Sequence, residues 1–240
     1  MRINNYTLSG YDVFPNDFVK PSSLFNVMQT AAGQDSAQYG AGYNDLIKDK
    51  MAFVMTKARL IIEAPIRNET KITVKTWGKK VSGVSFLRDY LVYGDDGLVV
   101  ARASTQWALI DFESRRLLRP SALKTDVSSN VEESAEVEVN RRLPVNEEVS
   151  PIFHERKINF SDADINCHLN NCRYADLVCD ACGFDFTKRH VTDIEIHYSS
   201  ELPIGETVEI ESFVEGNTAT LVGKKKSCGT VSFSAKIKVE

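Results

Sequence analysis

The sequence predicts an α+β fold in which one unit occurs twice, each copy a sheet wrapped on one long helix. Two observations predict it. The order strand, helix, then about four alternating strands runs once before a polar, acidic stretch and once again after it. In addition, Glu63-Ala64-Pro65-Ile66 in the first copy echoes Glu201-Leu202-Pro203-Ile204 in the second, each joining two strands at the same place in its unit. A chain of 240 residues is long enough for two such units, each with its own core.

Taken in order, Tyr6, Leu8, Tyr11, Val13 and Phe14 suit an edge strand entering the fold. Pro21-Ser22-Ser23 starts a helix whose apolar positions, Leu24, Val27, Met28, Ala31 and Ala32, follow helical spacing until Gly40-Ala41-Gly42 stops it. A short second helix over 43–50 is expected next. Strands follow at 53–62, 71–77, 84–93 and 98–111, rich in β-branched and aromatic residues, the last two joined through Gly94-Asp95-Asp96-Gly97 as a hairpin. Between 121 and 150 the pattern dissolves into an acidic, Ser/Asn-rich stretch carrying Glu132, Glu133, Glu136, Glu138, Glu147 and Glu148, which reads as a solvated crossover. The second copy then supplies a strand at 153–160, a helix at 169–182 stopped by Gly183, and strands at 191–200, 207–214, 218–226 and 231–239. The division expected is 1–125, a linker at 126–150, and 151–240.

Composition narrows the function. Hydrophobic residues at 42% and charged residues at 26% disfavour disorder, and no apolar run approaches the roughly 20 residues of a spanning helix. A net charge of -4 argues against nucleic acid, so the basic groups Lys79-Lys80, Arg115-Arg116, Lys188-Arg189 and Lys224-Lys225-Lys226 read first as solvated surface. The N-terminus has neither a secretory apolar core nor transit-peptide character, and a cytoplasmic location is expected. Five cysteines read as reduced thiols. Cys179 and Cys182 form a C-x-x-C pair late in a helical run, with no second pair to complete a zinc site, so they read as buried and structural; no metal or cofactor is expected.

The chemistry concentrates in Asp164-Ile165-Asn166-Cys167-His168-Leu169-Asn170-Asn171, which holds more polar side chains than a helix start needs for capping. Aligning the two copies sets Asp17-Phe18-Val19-Lys20-Pro21 against Asp164-Ile165-Asn166-Cys167-His168, so amide and imidazole face Val and Pro. Polar chemistry is then confined to the second copy, and the first serves as scaffold and apolar wall through residues such as Val27, Met28 and Ala31.

The spacing Asp164-x-Asn166-x-His168-Leu169-Asn170-Asn171-x-x-Tyr174 resembles the D-x-N-x-H-V-N-N-x-x-Y motif of the acyl-ACP thioesterases of plants and bacteria. Lys75-Thr76-Trp77, Phe86-Leu87-Arg88-Asp89-Tyr90 and Trp107-Ala108-Leu109-Ile110-Asp111 followed by Ser114-Arg115-Arg116 extend the likeness over nearly the whole chain. The resemblance implies two tandem hotdog units in one continuous sheet, and hydrolysis of the thioester between a fatty acyl chain and acyl carrier protein (ACP). Glu201 takes the position of an acid in the family's active-site network and is the candidate base. Asp164 and Asn166 would orient water, and His168 would donate to the carbonyl oxygen or relay a proton, neutral at a helix start whose N–H groups suit an oxyanion. Asn170 and Asn171 would bond the loop that presents the substrate site, while Arg115, Arg116 and Arg119 would steer the acidic carrier.

Plainer roles stand beside these: Asp164 as a cap, Asn166 as a turn residue, His168 as a structural histidine, and Glu201 as a structural residue shared with Glu63. Plant members carry Glu-Cys where this chain has Glu201-Leu202, and Cys167 and Cys172 occupy variable positions, which favours activated water over a cysteine nucleophile. Acyl-CoA hydrolysis, dehydration of a hydroxyacyl thioester and a non-catalytic carrier-binding module are the competing functions. Tandem units already provide the pairing that single units gain by dimerising, and a homodimer of the whole chain stays open.

Overall fold

The computed structural model describes residues 1–128 and 132–240, so three positions of the expected linker, 129–131, lie outside the described residues. The first half runs β1 (Arg2–Thr7), α1 (Pro21–Gln38), α2 (Tyr43–Lys48), β2 (Met51–Ile62), β3 (Lys71–Gly78), β4 (Ser85–Tyr93) and β5 (Val99–Asp111). The second runs β6 (Ile152–Lys157), α3 (Tyr174–Ala181), β7 (Val191–Tyr198), β8 (Thr207–Glu215), β9 (Thr218–Lys225) and β10 (Val231–Val239). All ten strands form one sheet in the order β1-β3-β4-β5-β2-β7-β10-β9-β8-β6, with every pairing antiparallel. Each half is a hotdog unit, a helix packed on its own five strands.

Helix α1 begins where Pro21 supplies a fixed φ and needs no N–H partner, after Lys20 in extended conformation. Leu24, Phe25, Met28, Ala31 and Ala32 are buried at helical spacing against the sheet. Asp35, one further turn along, is also buried; Arg88 Nη1 of β4 donates to its Oδ2 at 2.8 Å and reaches Thr76 Oγ1 at 3.2 Å. This ion pair ties helix to sheet.

The two halves meet at β2 and β7, where Lys57 pairs with His197, Ala58 with Ile196, Arg59 with Glu195, Leu60 with Ile194 and Ile61 with Asp193. Alternation splits the seam into two faces. Ala58, Leu60, Ile194 and Ile196 are fully buried towards the helices. On the other face Arg59 Nε and Nη2 donate to Asp193 at 3.1 and 2.7 Å, and His197 Nε2 lies 2.7 Å from the buried Glu195.

The linker covers that second face. Ala135 is buried with Trp77 and Leu91, and its N–H donates to Asp89 Oδ2 at 3.0 Å. Further along, Asn140 donates its N–H and Nδ2 to Glu195 at 2.8 and 2.6 Å, while Lys57 Nζ donates to the carbonyls of Asn140 and Arg141. The described residues 132–141 are therefore a strap hydrogen-bonded to both halves. The acidic composition hid this, because most of the anchoring groups belong to strands.

Three elements differ from the sequence expectation. The edge strand expected to carry Leu8, Tyr11, Val13 and Phe14 ends at Thr7, and those four residues lie in the loop before α1. The strand expected to reach residue 160 ends at Lys157, and the helix expected from residue 169 begins as a 3₁₀ turn at Asn171–Arg173 before α3. The cause is Asn170, whose side chain accepts the Cys172 N–H at 2.9 Å and makes itself the N-cap. Gly183, at φ +79, ends the helix as expected. Cys179 and Cys182 are buried, and burial pushes the Cys182 thiol up to about 11. Among the described residues no helix is long and apolar enough to cross a membrane.

Removing one member of a buried ion pair leaves the other charge stranded in low dielectric. Asp35→Ala should therefore lose about 3–5 kcal/mol of unfolding free energy, measured by denaturant titration. A loss within the spread of surface substitutions would show that Arg88 finds water instead.

Candidate active site

The stretch 164–168 is a tight turn, not a helix start. Asp164 N–H donates to the His168 carbonyl at 2.9 Å, Cys167 N–H donates back to the Asp164 carbonyl at 3.0 Å, and Cys167 takes φ 62 at the corner. Asp164 Oδ1 accepts the Asn166 N–H at 2.8 Å, which stiffens the loop. Leu169 N–H donates to the Leu202 carbonyl at 2.8 Å and Ile204 N–H to the Cys167 carbonyl at 3.2 Å, so the turn is docked on the segment after β7. That docking brings His168 Nε2 to 3.2 Å from Glu201 Oε2. The other oxygen of Glu201 is in direct ionic contact with Arg115, from the turn that follows β5 in the first half. Tyr43 of α2, also from the first half, reaches Asn166 Oδ1 with its hydroxyl at 3.5 Å.

Two cavities meet at this point. One, of about 300 Å³, runs into the first half between α1, α2 and the sheet, walled by Ala32, Leu46, Met51, Phe53, Phe86 and Trp107, with Arg88 and Ser36 among its polar lining. The other, of about 370 Å³, holds His168, Tyr174, Tyr198, Ser199 and Ser200. Asp164, Asn166, Asn171, Glu201 and Arg115 line both. The arrangement is an apolar chamber and a polar chamber with two carboxylates, two amides and a guanidinium at their junction, and an imidazole on the polar side.

Burial is the largest influence on His168 and lowers its pKa; the Arg115 charge lowers it further and Lys225 adds to that, against an opposing pull from Asp164. The imidazole is therefore neutral near pH 7, for a reason other than the helix terminus expected from sequence. The oxyanion site expected at the helix N–H groups is corrected likewise: the Cys172 and Arg173 N–H groups at that start are taken by Asn170.

Of the remaining sequence candidates, Asn170 faces away from both chambers as the cap, whereas Asn171 lines them and accepts the Tyr198 hydroxyl on its carbonyl at 3.2 Å. Arg116 and Arg119 are exposed and line neither chamber, and among the described residues neither pairs with a carboxylate. Cys167 lines neither chamber; Cys172 is buried, its thiol pushed up to about 12 by desolvation, so it stays protonated. Leu202 is fully buried. Tyr43 and the apolar wall at Phe53 were not singled out from sequence; nothing in the local pattern marks a residue that matters because another segment folds onto it.

The hydrogen bonds also correct the internal alignment. Phe14 N–H donates to Phe18 O and Asp17 N–H to Phe14 O, the same pair of bonds as in the second-half turn, and Asp17 takes φ 68 as Cys167 takes φ 62. The counterparts of Asp164, Asn166 and His168 are thus Phe14, Asn16 and Phe18. Val19 N–H donates to Ile66 O as Leu169 N–H donates to Leu202 O, so Pro65 matches Glu201 and Glu63 does not. Identical letters misled the alignment; turn geometry sets it. The pseudo-equivalent position is filled: Phe14 stacks on Phe186 at 4.5 Å, Phe18 on His190 at 4.2 Å, and Asn16 Nδ2 donates to Arg189 O at 2.7 Å.

Two outcomes follow from this geometry. The His168 ring, followed by NMR, should titrate below the ordinary value of about 6.5; a midpoint at or above it would contradict the burial and Arg115 argument. A non-hydrolysable acyl thioether should bind once per chain by calorimetry, since the second position is packed with aromatic rings, and a stoichiometry of two would show that plug to be open.

Comparison with known proteins agrees with this architecture. Residues 3–128 match the family model of the acyl-ACP thioesterase N-terminal domain and residues 146–238 that of its C-terminal domain. A palmitoyl-acyl carrier protein thioesterase, chloroplastic, of Gossypium hirsutum is 21% identical over 82% of this chain and 51% of its own length, and one of Arabidopsis thaliana 20% identical over 77% and 48%. The chain thus spans about half the length of the curated relatives it matches. Among solved structures, an acyl-ACP thioesterase from Bacteroides thetaiotaomicron superposes with a TM-score of 0.88 at 22% identity, covering 99% of this chain and 97% of that one. A 12:0-ACP thioesterase from Umbellularia californica does so with 0.81 at 17% identity, covering 99% and 96%. The chain belongs to the acyl-ACP thioesterase family.

Proposed function

We propose that the chain hydrolyses the thioester of a fatty acyl chain carried on ACP, with activated water as nucleophile. The observation that carries this reading is the junction of an apolar and a polar chamber at Glu201, His168 and Asn166. An extended acyl chain suits the first-half chamber, and the amide-bearing arm that joins acyl chain to carrier suits the chamber lined by Tyr198, Ser199 and Ser200. The thioester carbon then sits at the junction.

Glu201 removes a proton from water as the water oxygen adds to the carbonyl carbon. The Asn166 amide, whose Oδ1 faces Tyr43, turns its NH₂ towards the developing oxyanion, and Asp164 holds the Asn166 backbone. Collapse breaks the C–S bond, and the proton held by Glu201 passes by way of His168 to the leaving sulfur. A neutral imidazole suits this relay because it can accept on one nitrogen while donating from the other. No covalent intermediate is needed, which fits Leu202 in the place of a cysteine and the protonated state of Cys172.

Family membership supports ACP as the carrier, and Arg116 and Arg119 on the segment after β5, which among the described residues pair with no carboxylate, support an acidic partner.

The purified chain should release free thiol from acyl-ACP faster than from acyl-CoA across a ladder of chain lengths. Glu201→Gln and His168→Ala should each lower kcat by about 10²- to 10⁴-fold with unchanged thermal unfolding. Wild-type turnover in both variants would remove these residues from the mechanism, and a preference for CoA would replace the carrier.

A further inference from the structure

Arg115 was grouped by sequence with Arg116 and Arg119 as part of a basic patch for the carrier, but the structure separates it from them. Its side chain, although 40% exposed, reaches the junction of the two chambers, where it meets one oxygen of Glu201 while His168 meets the other. The backbone that presents it is held firmly. Arg115 N–H donates to Asp111 O at 2.9 Å, Asp111 N–H to Arg116 O at 2.9 Å, and Asp111 Oδ1 takes both the N–H and the hydroxyl of Ser114 at 2.7 Å. Phe112, the residue after Asp111, donates its N–H to Lys50 O at 2.8 Å, just before β2. Arg115 itself takes φ 59, a left-handed conformation that costs a side-chain-bearing residue about 1 kcal/mol or more and persists where the surroundings impose it.

We infer that Arg115 is a positioning residue for hydrolysis: from the first half it orients the Glu201 carboxylate of the second half, so that the working site is shared between the two units. This rests on the hydrolytic reading above. Arg115 holds one carboxylate oxygen and the other faces His168 Nε2, which leaves the remaining lone pairs in one orientation towards the thioester. A base held this way meets water without a search over rotamers. The same guanidinium acts on charge. Facing Glu201 and His168 are Arg115 from the first half, Asp164 from the 164–168 turn and Lys225 at the end of β9; Arg115 favours the ionised carboxylate and the neutral imidazole together. Removing it takes away the positive charge beside both groups, so the acid limb of the rate profile moves to higher pH.

The test uses two substrates: acyl-ACP, and the same acyl group on the small thiol N-acetylcysteamine, which has no carrier to steer. Arg115→Gln should lower kcat by about 10- to 100-fold on both substrates and move the acid limb of kcat/KM upward. Arg115→Lys, which keeps the charge and loses the fork, should hold the limb near its wild-type position with kcat only partly restored. If Arg115→Gln is too unstable to assay, Arg115→Lys decides the matter: kcat lowered on both substrates with the acid limb unmoved supports the inference, and a rise in KM on acyl-ACP alone overturns it. A defect seen with acyl-ACP alone, as a rise in KM with the pH profile unmoved, would return Arg115 to carrier steering and overturn the inference while leaving hydrolysis intact. A wild-type chain that releases no thiol from either substrate would overturn the hydrolytic reading, and this inference with it.

Discussion

The pairing of β2 with β7 is the constraint on which the rest depends. It makes one sheet out of two units, and by fixing their register it sets the apolar chamber of the first half against the polar turn of the second. Residues of both units meet at the chamber junction. Tyr43 and Arg115 arrive from one side, Asp164, Asn166, His168 and Glu201 from the other. The seam is correspondingly overdetermined: a fully apolar face under the helices, and an outer face where Arg59, Asp193, Glu195 and His197 are bonded to each other and to the strap at 138–141. Buried Glu195 is tolerated because Asn140 and His197 satisfy it.

Tandem duplication has let the two copies of one turn diverge under that shared frame. Both keep the same backbone, including the left-handed corner at Asp17 and Cys167, because the hydrogen bonds between turn and sheet demand it. Side chains were freer. Where the second copy carries Asp164, His168 and Glu201, the first carries Phe14, Phe18 and Pro65, and the ring stacks with Phe186 and His190 turn a would-be site into packing. Asn16 persists as a structural amide bonded to Arg189 O, while its counterpart Asn166 stands at the chamber junction. An amide serves either purpose. The acid and the imidazole are what separate the two copies.

Much of this was legible in the sequence. The two units, all ten strands and the start of α1 follow from period and from Pro and Gly placement, because those signals are local. The polar cluster at 164–171 was legible as a surplus over capping needs. Its conformation was not, since Asp, Asn and His suit helix caps and turns alike, and only the bonds to Leu202 and Cys167 decide between them. Arg115 shows the same limit: charge clustering groups it with Arg116 and Arg119, and nothing local says that one of the three reaches Glu201. The strap was hidden because Lys57, Arg59 and Glu195, which hold it, lie in strands far from it in sequence.

A single composite site requires the acyl chain to lie in the first half and the reacting carbon at the second-half turn. A crystal structure of the chain with a bound non-hydrolysable acyl thioether measures this directly. The expected result is the acyl chain among Phe53, Phe86 and Trp107, with the sulfur beside Glu201 and His168. An acyl chain lying against α3 in the second half, or a sulfur remote from Glu201, would contradict it.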